Sequence, residues 1–153
     1  MNAAIAFPIL MAVIAGAAVA TQPAFNAQLA ALLQSPFRAA LVNFGAGALI
    51  MLSVVSVLAL RNGLPGRETL AAVPPHLWIA GGALGALFVT TAAWATPKIG
   101  VGAFFSVLIA AQLIAALAMD HFGLLGLDVR PANLVRLAGV ALLVAGAIMV
   151  VRG

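Results

Sequence analysis

Residues 39–60 are twenty-two consecutive positions without a charged side chain. As an α-helix such a run is roughly 33 Å long, and the hydrocarbon core of a bilayer is about 30 Å thick. It is part of one of five apolar runs, at about 3–33, 37–60, 76–96, 101–119 and 133–151, which take up nearly the whole chain of 153 residues. The chain is 65% hydrophobic and 7% charged, against about 45–50% and about 25% in ordinary domains. Polar surface is therefore too scarce to cover a water-facing ball. The runs are continuous rather than alternating, which argues against the strands of a membrane β-barrel. The expectation is an all-α integral membrane protein, a single transmembrane domain over 1–153 with five spanning helices.

Local signals set the boundaries. The first run is too long for a simple span and must tilt, break or lie partly in the interface. Pro23 is the expected helix break, because proline removes a backbone donor and clashes with the preceding turn. Ala18-Val19-Ala20 looks like a signal-peptide cleavage site. No Lys or Arg precedes that stretch, however, and the apolar sequence continues past Pro23, so the first run is expected to be retained. Ser35 suits a helix cap, with Pro36 at the first helical position. Arg61-Asn62-Gly63 and Pro65-Gly66-Arg67-Glu68 are the most loop-like stretch. The third span is expected to follow Pro74-Pro75 and to end before Pro97. Asp120 to Ala132 reads as a loop punctuated by Gly123, Gly126 and Pro131.

The net charge of +4 does not point to nucleic acid, since the seven basic residues are scattered singly and form no phosphate-binding face. They flank the spans. With five spans, Arg61, Arg67, Arg130 and Arg136 fall on the side of the N-terminus, and Arg38, Lys98 and Arg152 on the other. Orientation follows the Lys/Arg excess in short loops, and four against three is almost none. The alternatives are one loop that dominates insertion, or dual topology with copies pairing as an antiparallel homodimer. We favour dual topology. Many transporters are built from inverted repeats with the substrate at the midplane. Five helices cannot contain an equal inverted pair, but two oppositely inserted copies make ten helices with that symmetry.

Enzyme constellations are absent from the sequence, as are metal-ligand clusters; with no cysteine there is no thiolate site. No cofactor is implied. Of three acidic residues, Glu68 and Asp128 lie in loops. Asp120-His121 closes the fourth span, as an interfacial boundary or as a coupling or gating pair. Neutral polar side chains interrupt the spans. Gln22 and Asn26 share a helical face, Asn43 and Gln112 lie inside spans two and four, and Ser106 precedes Gln112. A buried amide in lipid must find a partner. These residues either bond helix to helix or line a midplane pocket. Trp78 and Trp94 are sixteen residues apart, roughly 24 Å along a helix, which suits interfacial belt positions. Trp94, close to Thr90, Thr91 and Thr96, is also a candidate for substrate contact. Gly81 and Gly85 in span three, and Gly139 and Gly146 in span five, mark faces where helices approach closely.

Several blocks carry a resemblance. They are Gln22-Pro23-Ala24-Phe25-Asn26-Ala27-Gln28-Leu29, Pro75-His76-Leu77-Trp78 with Gly81-Gly82, Gly85 and Phe88-Val89, and Pro97-Lys98-Ile99-Gly100. The most specific is Ala111-Gln112-Leu113 leading to Asp120-His121-Phe122-Gly123 and Gly126, and Arg136-Leu137-Ala138-Gly139 follows. Together they resemble the YdcZ-like branch of the drug/metabolite transporter superfamily over nearly the whole chain. The resemblance implies a small five-helix exporter of the bacterial inner membrane. It also implies an antiparallel homodimer, or a heterodimer with a sister copy. The membrane-embedded glutamate of the similar small multidrug exporters has no counterpart here, so their proton–drug exchange is not implied. The expected function is a secondary active exporter of a small organic solute, working by alternating access. The expected substrate-binding residues are Gln22, Asn26, Asn43, Trp94, Ser106 and Gln112, and Asp120 and His121 are the titratable pair. The rivals are a non-transporting membrane subunit and a passive channel.

Overall fold

A computed structural model describes residues 3–153 of the chain. Its elements are α1 (Ala3–Leu32), α2 (Pro36–Asn62), α3 (Arg67–Ala71), α4 (Leu77–Ile99), α5 (Val101–Phe122), a 3-10 turn at Leu124–Gly126, and α6 (Leu134–Arg152). Among the described residues there is no strand. Every helix except α3 is long and apolar enough to cross a membrane. Little of these helices is buried by the protein itself: at most 11% of any span's most apolar window. In water such surface would be untenable; in a bilayer it faces lipid tails as apolar as itself.

The helix ends follow from their sequences. Gln34 adopts a left-handed φ of 54°. Its N–H donates to the Ala31 carbonyl and the Ser35 N–H to Ala30, the paired bonds of a Schellman stop. Ser35 then caps α2, its side chain accepting from the Arg38 N–H, with Pro36 in the first turn. The Arg38 guanidinium turns back to the Leu33 carbonyl at 3.2 Å, placing a cation at the negative end of α1. Gly100, at φ 83°, is the single residue between α4 and α5. Asn133 caps α6 by accepting from the Arg136 N–H at 2.9 Å.

Four expectations need correction. Pro23 does not break α1, which runs through it without interruption. The reason is the solvent. Ending a helix within hydrocarbon would orphan several backbone groups, whereas an internal proline removes one donor. Pro97 likewise does not stop α4, which continues to Ile99, and the Gly100 N–H still bonds the Thr96 carbonyl at 2.9 Å. Asp120 and His121 are not in a loop: they form the last turn of α5, which ends at Gly123 in a left-handed conformation. The stretch after Pro65 also contains a short helix, α3, with Glu68 in its first turn.

The chain divides into two compact units, Met1–Trp94 and Ala95–Gly153. In the first, α1 and α2 pack as an antiparallel pair around their short turn. Ala39 and Ala40 are buried at the start of α2, and small side chains there let the helices approach closely. Phe44 of α2 meets α4 at Gly85. In the second unit α5 packs antiparallel on α6, with Phe104, Ala110 and Ala147 buried.

Candidate functional site

The first unit builds a site from the polar residues of α1 and α2. One turn of helix beyond Gln22 brings Asn26 to the same face, and the tight turn at 33–35 folds α2 back alongside. Asn43 Nδ2 then donates to Asn26 Oδ1 at 2.6 Å. Asn26 is only 5% exposed, and Pro23, one turn before it, is fully buried. The pair lies in a cleft of about 630 Å³ whose walls include Gln22, Phe25, Phe44, Met51 and Val89. On α2 the lining residues run from Asn43 to Met51, roughly 10–22 Å along a helix roughly 40 Å long. The cleft therefore reaches the middle of that span. Of the six residues expected to bind substrate, Gln22, Asn26 and Asn43 come together here.

The other three do not join them. Trp94 is 57% exposed and lines neither this cleft nor the one in the second unit. Ser106 Oγ donates to the Gly102 carbonyl of its own helix at 2.8 Å, the back-bonding usual for a hydroxyl in a helix interior. Gln112 is exposed near the middle of α5.

The second unit holds a smaller cleft of about 340 Å³ between α5 and α6, with Asp120, Arg136 and Gly139 among its lining residues. Arg136 Nη1 lies 3.4 Å from Asp120 Oδ2 and also donates to the Arg130 carbonyl at 3.3 Å. The Arg130 N–H returns to the Asp120 carbonyl at 2.8 Å. His121 Nδ1 accepts from the Ala132 N–H at 3.1 Å. Asp120 and His121 thus clasp the returning loop from the end of α5. Arg136 is the functional candidate that reading the sequence missed. Its only signal was a cation one turn into α6, and nothing in the spacing aims it back across the loop at Asp120.

The glycine faces differ. A Cβ at Gly85 would lie 3.2 Å from the Phe44 ring, while at Gly81, Gly139 and Gly146 it would meet nothing within 4 Å.

A family model described as "Putative inner membrane exporter, YdcZ" matches residues 7–149. Neither a curated protein nor a solved structure matches the chain. The family match takes in parts of all five spanning helices, both clefts and the Asp120–Arg136 clasp, and the chain belongs to the YdcZ family of inner-membrane proteins in the drug/metabolite transporter group.

Proposed function

We propose that this chain is a secondary active exporter of a small organic solute, with the α1–α2 cleft as its substrate site. The observation that carries the reading is the Asn26–Asn43 amide pair set in an open cleft that extends to mid-span. An interhelical bond alone would suit a purely structural subunit, worth about 0.6–2 kcal/mol. A cleft of drug-like volume around it is what a binding site needs in addition. Two copies inserted in opposite senses supply the inverted symmetry that alternating access uses. The near-even cationic flanks permit such insertion. Gln112, an exposed amide on a spanning helix, gains its partner from the second copy, and the open space at Gly146 suits close approach of that copy's helices. Asp120 and His121 act as gating residues, because opening that end of the α5–α6 pair requires their clasp to release.

The test has two stages. Medium spent by cells expressing the wild-type chain is compared with medium from cells expressing Asn26→Ala/Asn43→Ala, and the solute that differs is taken into proteoliposome counterflow. Saturable exchange supports the exporter. Non-saturating leak would make it a channel, and no flux a structural subunit.

A further inference from the structure

The cleft's walls say what kind of molecule it takes, granted the reading of that cleft as the substrate site. None of its lining side chains is charged. A ligand with a fixed charge would lose its hydration there and meet no counter-charge, which is costly in a low-dielectric setting. The polar capacity that is present is small and specific. The Asn43–Asn26 bond uses one amide N–H and one amide oxygen. It leaves Asn26 Nδ2 as a donor and Asn43 Oδ1 as an acceptor, beside the second Asn43 N–H and the Gln22 amide. Among the described residues no fully buried side-chain polar atom lacks a partner. A donor on Asn26 and an acceptor on Asn43, side by side, match a group that offers one carbonyl and one N–H. Apart from Gln22 the remaining walls are apolar: Phe25 is 68% exposed, Phe44 40% and Met51 57%. These faces suit a hydrocarbon or aromatic body. The volume, about 630 Å³, lies within the roughly 300–1,000 Å³ of pockets for drug-sized ligands.

We propose that the cleft selects an uncharged solute whose apolar body carries a single carboxamide or lactam group, that group pairing with Asn26 and Asn43. Phenyl faces also attract cations, but with no carboxylate in the lining that attraction stands against the whole cost of desolvating the charge.

The experiment uses the full chain in nanodiscs and three radiolabelled probes of one skeleton: 3-phenylpropanamide, 3-phenylpropanoate and 3-phenylpropylammonium. Equilibrium binding is measured at neutral pH against empty nanodiscs. The amide is expected to bind at least ten-fold more tightly than either charged probe. Asn43→Leu is expected to weaken the amide at least five-fold, and Leu134→Ala, exposed on α6, to leave it unchanged. Asn43→Asp, which keeps the shape and adds a charge, is expected to shift preference toward the ammonium; it keeps the test open if Asn43→Leu folds poorly. A charged probe that binds best in an Asn26-dependent way overturns the selectivity and leaves the cleft as a site. Binding of any probe that is indifferent to Asn26 and Asn43 overturns the cleft reading itself. Binding by none of the three overturns the proposal.

Discussion

At the scale of single residues, the Asn26–Asn43 and Asp120–Arg136 contacts differ in kind. Asn26 is almost fully buried, and its carbonyl has one partner, Asn43. Asn43→Leu leaves that carbonyl facing an apolar surround, at an expected cost of about 0.6–2 kcal/mol. Asn26→Leu/Asn43→Leu should be less destabilised than the sum of the single variants, because no orphan remains. Unfolding in mixed micelles measures both; additivity within error would show that the bond contributes nothing. The Asp120–Arg136 pair is more than a third exposed on both sides, so its coupling is expected to stay under about 1 kcal/mol. On the proposed gating role, its larger effect is on transport. Asp120→Asn is expected to change the counterflow rate at least two-fold while leaving stability nearly unchanged. An unaltered rate would reduce the pair to a loop fastening.

At the scale of elements, the hairpin ends carry the sharpest steric predictions. Gly123 sits at φ 61°, and a Cβ there would lie 2.7 Å from Val129 Cγ2 and 3.2 Å from the Leu127 carbonyl. Gly126 has φ 78° but open space around it. Gly126→Ala therefore costs only the left-handed backbone term, about 1–2 kcal/mol, and Gly123→Ala costs more, since the loop must also shift. Thermal unfolding of the two variants ranks them, and equal shifts would mean the α5–α6 loop yields freely. Gly85→Ala brings a methyl to 3.2 Å from the Phe44 ring. That ring is 40% exposed and lines the cleft, so it can swing away. The expected result is a small change in stability and a measurable loss of probe affinity. Unchanged affinity would show that the ring moves away from the cleft. These same elements show what could be read from sequence. Apolar runs of about twenty residues have one stable form in hydrocarbon, so the spans were legible, as were the Ser35 cap and Pro36. The two prolines misled because rules learned in water let a freed carbonyl find solvent, and lipid removes that option. The site was half legible. Gln22 and Asn26 share a face by period alone. Their meeting with Asn43 depended on how a three-residue turn lays α2 against α1. Ser106 was satisfied by a carbonyl of its own helix.

At the scale of the whole molecule, the distribution of seven cations decides how the chain sits in its membrane. Each cytoplasmic Lys or Arg biases insertion, and the two sides differ by one residue: Arg61, Arg67, Arg130 and Arg136 against Arg38, Lys98 and Arg152. Arg38 and Arg136 have structural employment that does not depend on orientation. Arg38 is tied to the end of α1, and Arg136 to Asp120. The chain contains no cysteine, so a single Leu64→Cys reports the loop after α2 directly; Leu64 is 74% exposed. In intact inner-membrane vesicles of one sidedness, an impermeant maleimide is expected to label about half the copies, and the rest only after permeabilisation. The bias should also be tunable. Two lysines added on the Arg61–Arg67 side are expected to fix one orientation and move labelling to an extreme. Two added beside Lys98 should move it to the opposite extreme. If the antiparallel pair is the working unit, either variant alone loses counterflow, and co-expression of the two restores it, since each then supplies one orientation. Complete or zero labelling of the unmodified chain would end the dual-topology reading. Full activity from a single fixed orientation would show that two opposed copies are not required.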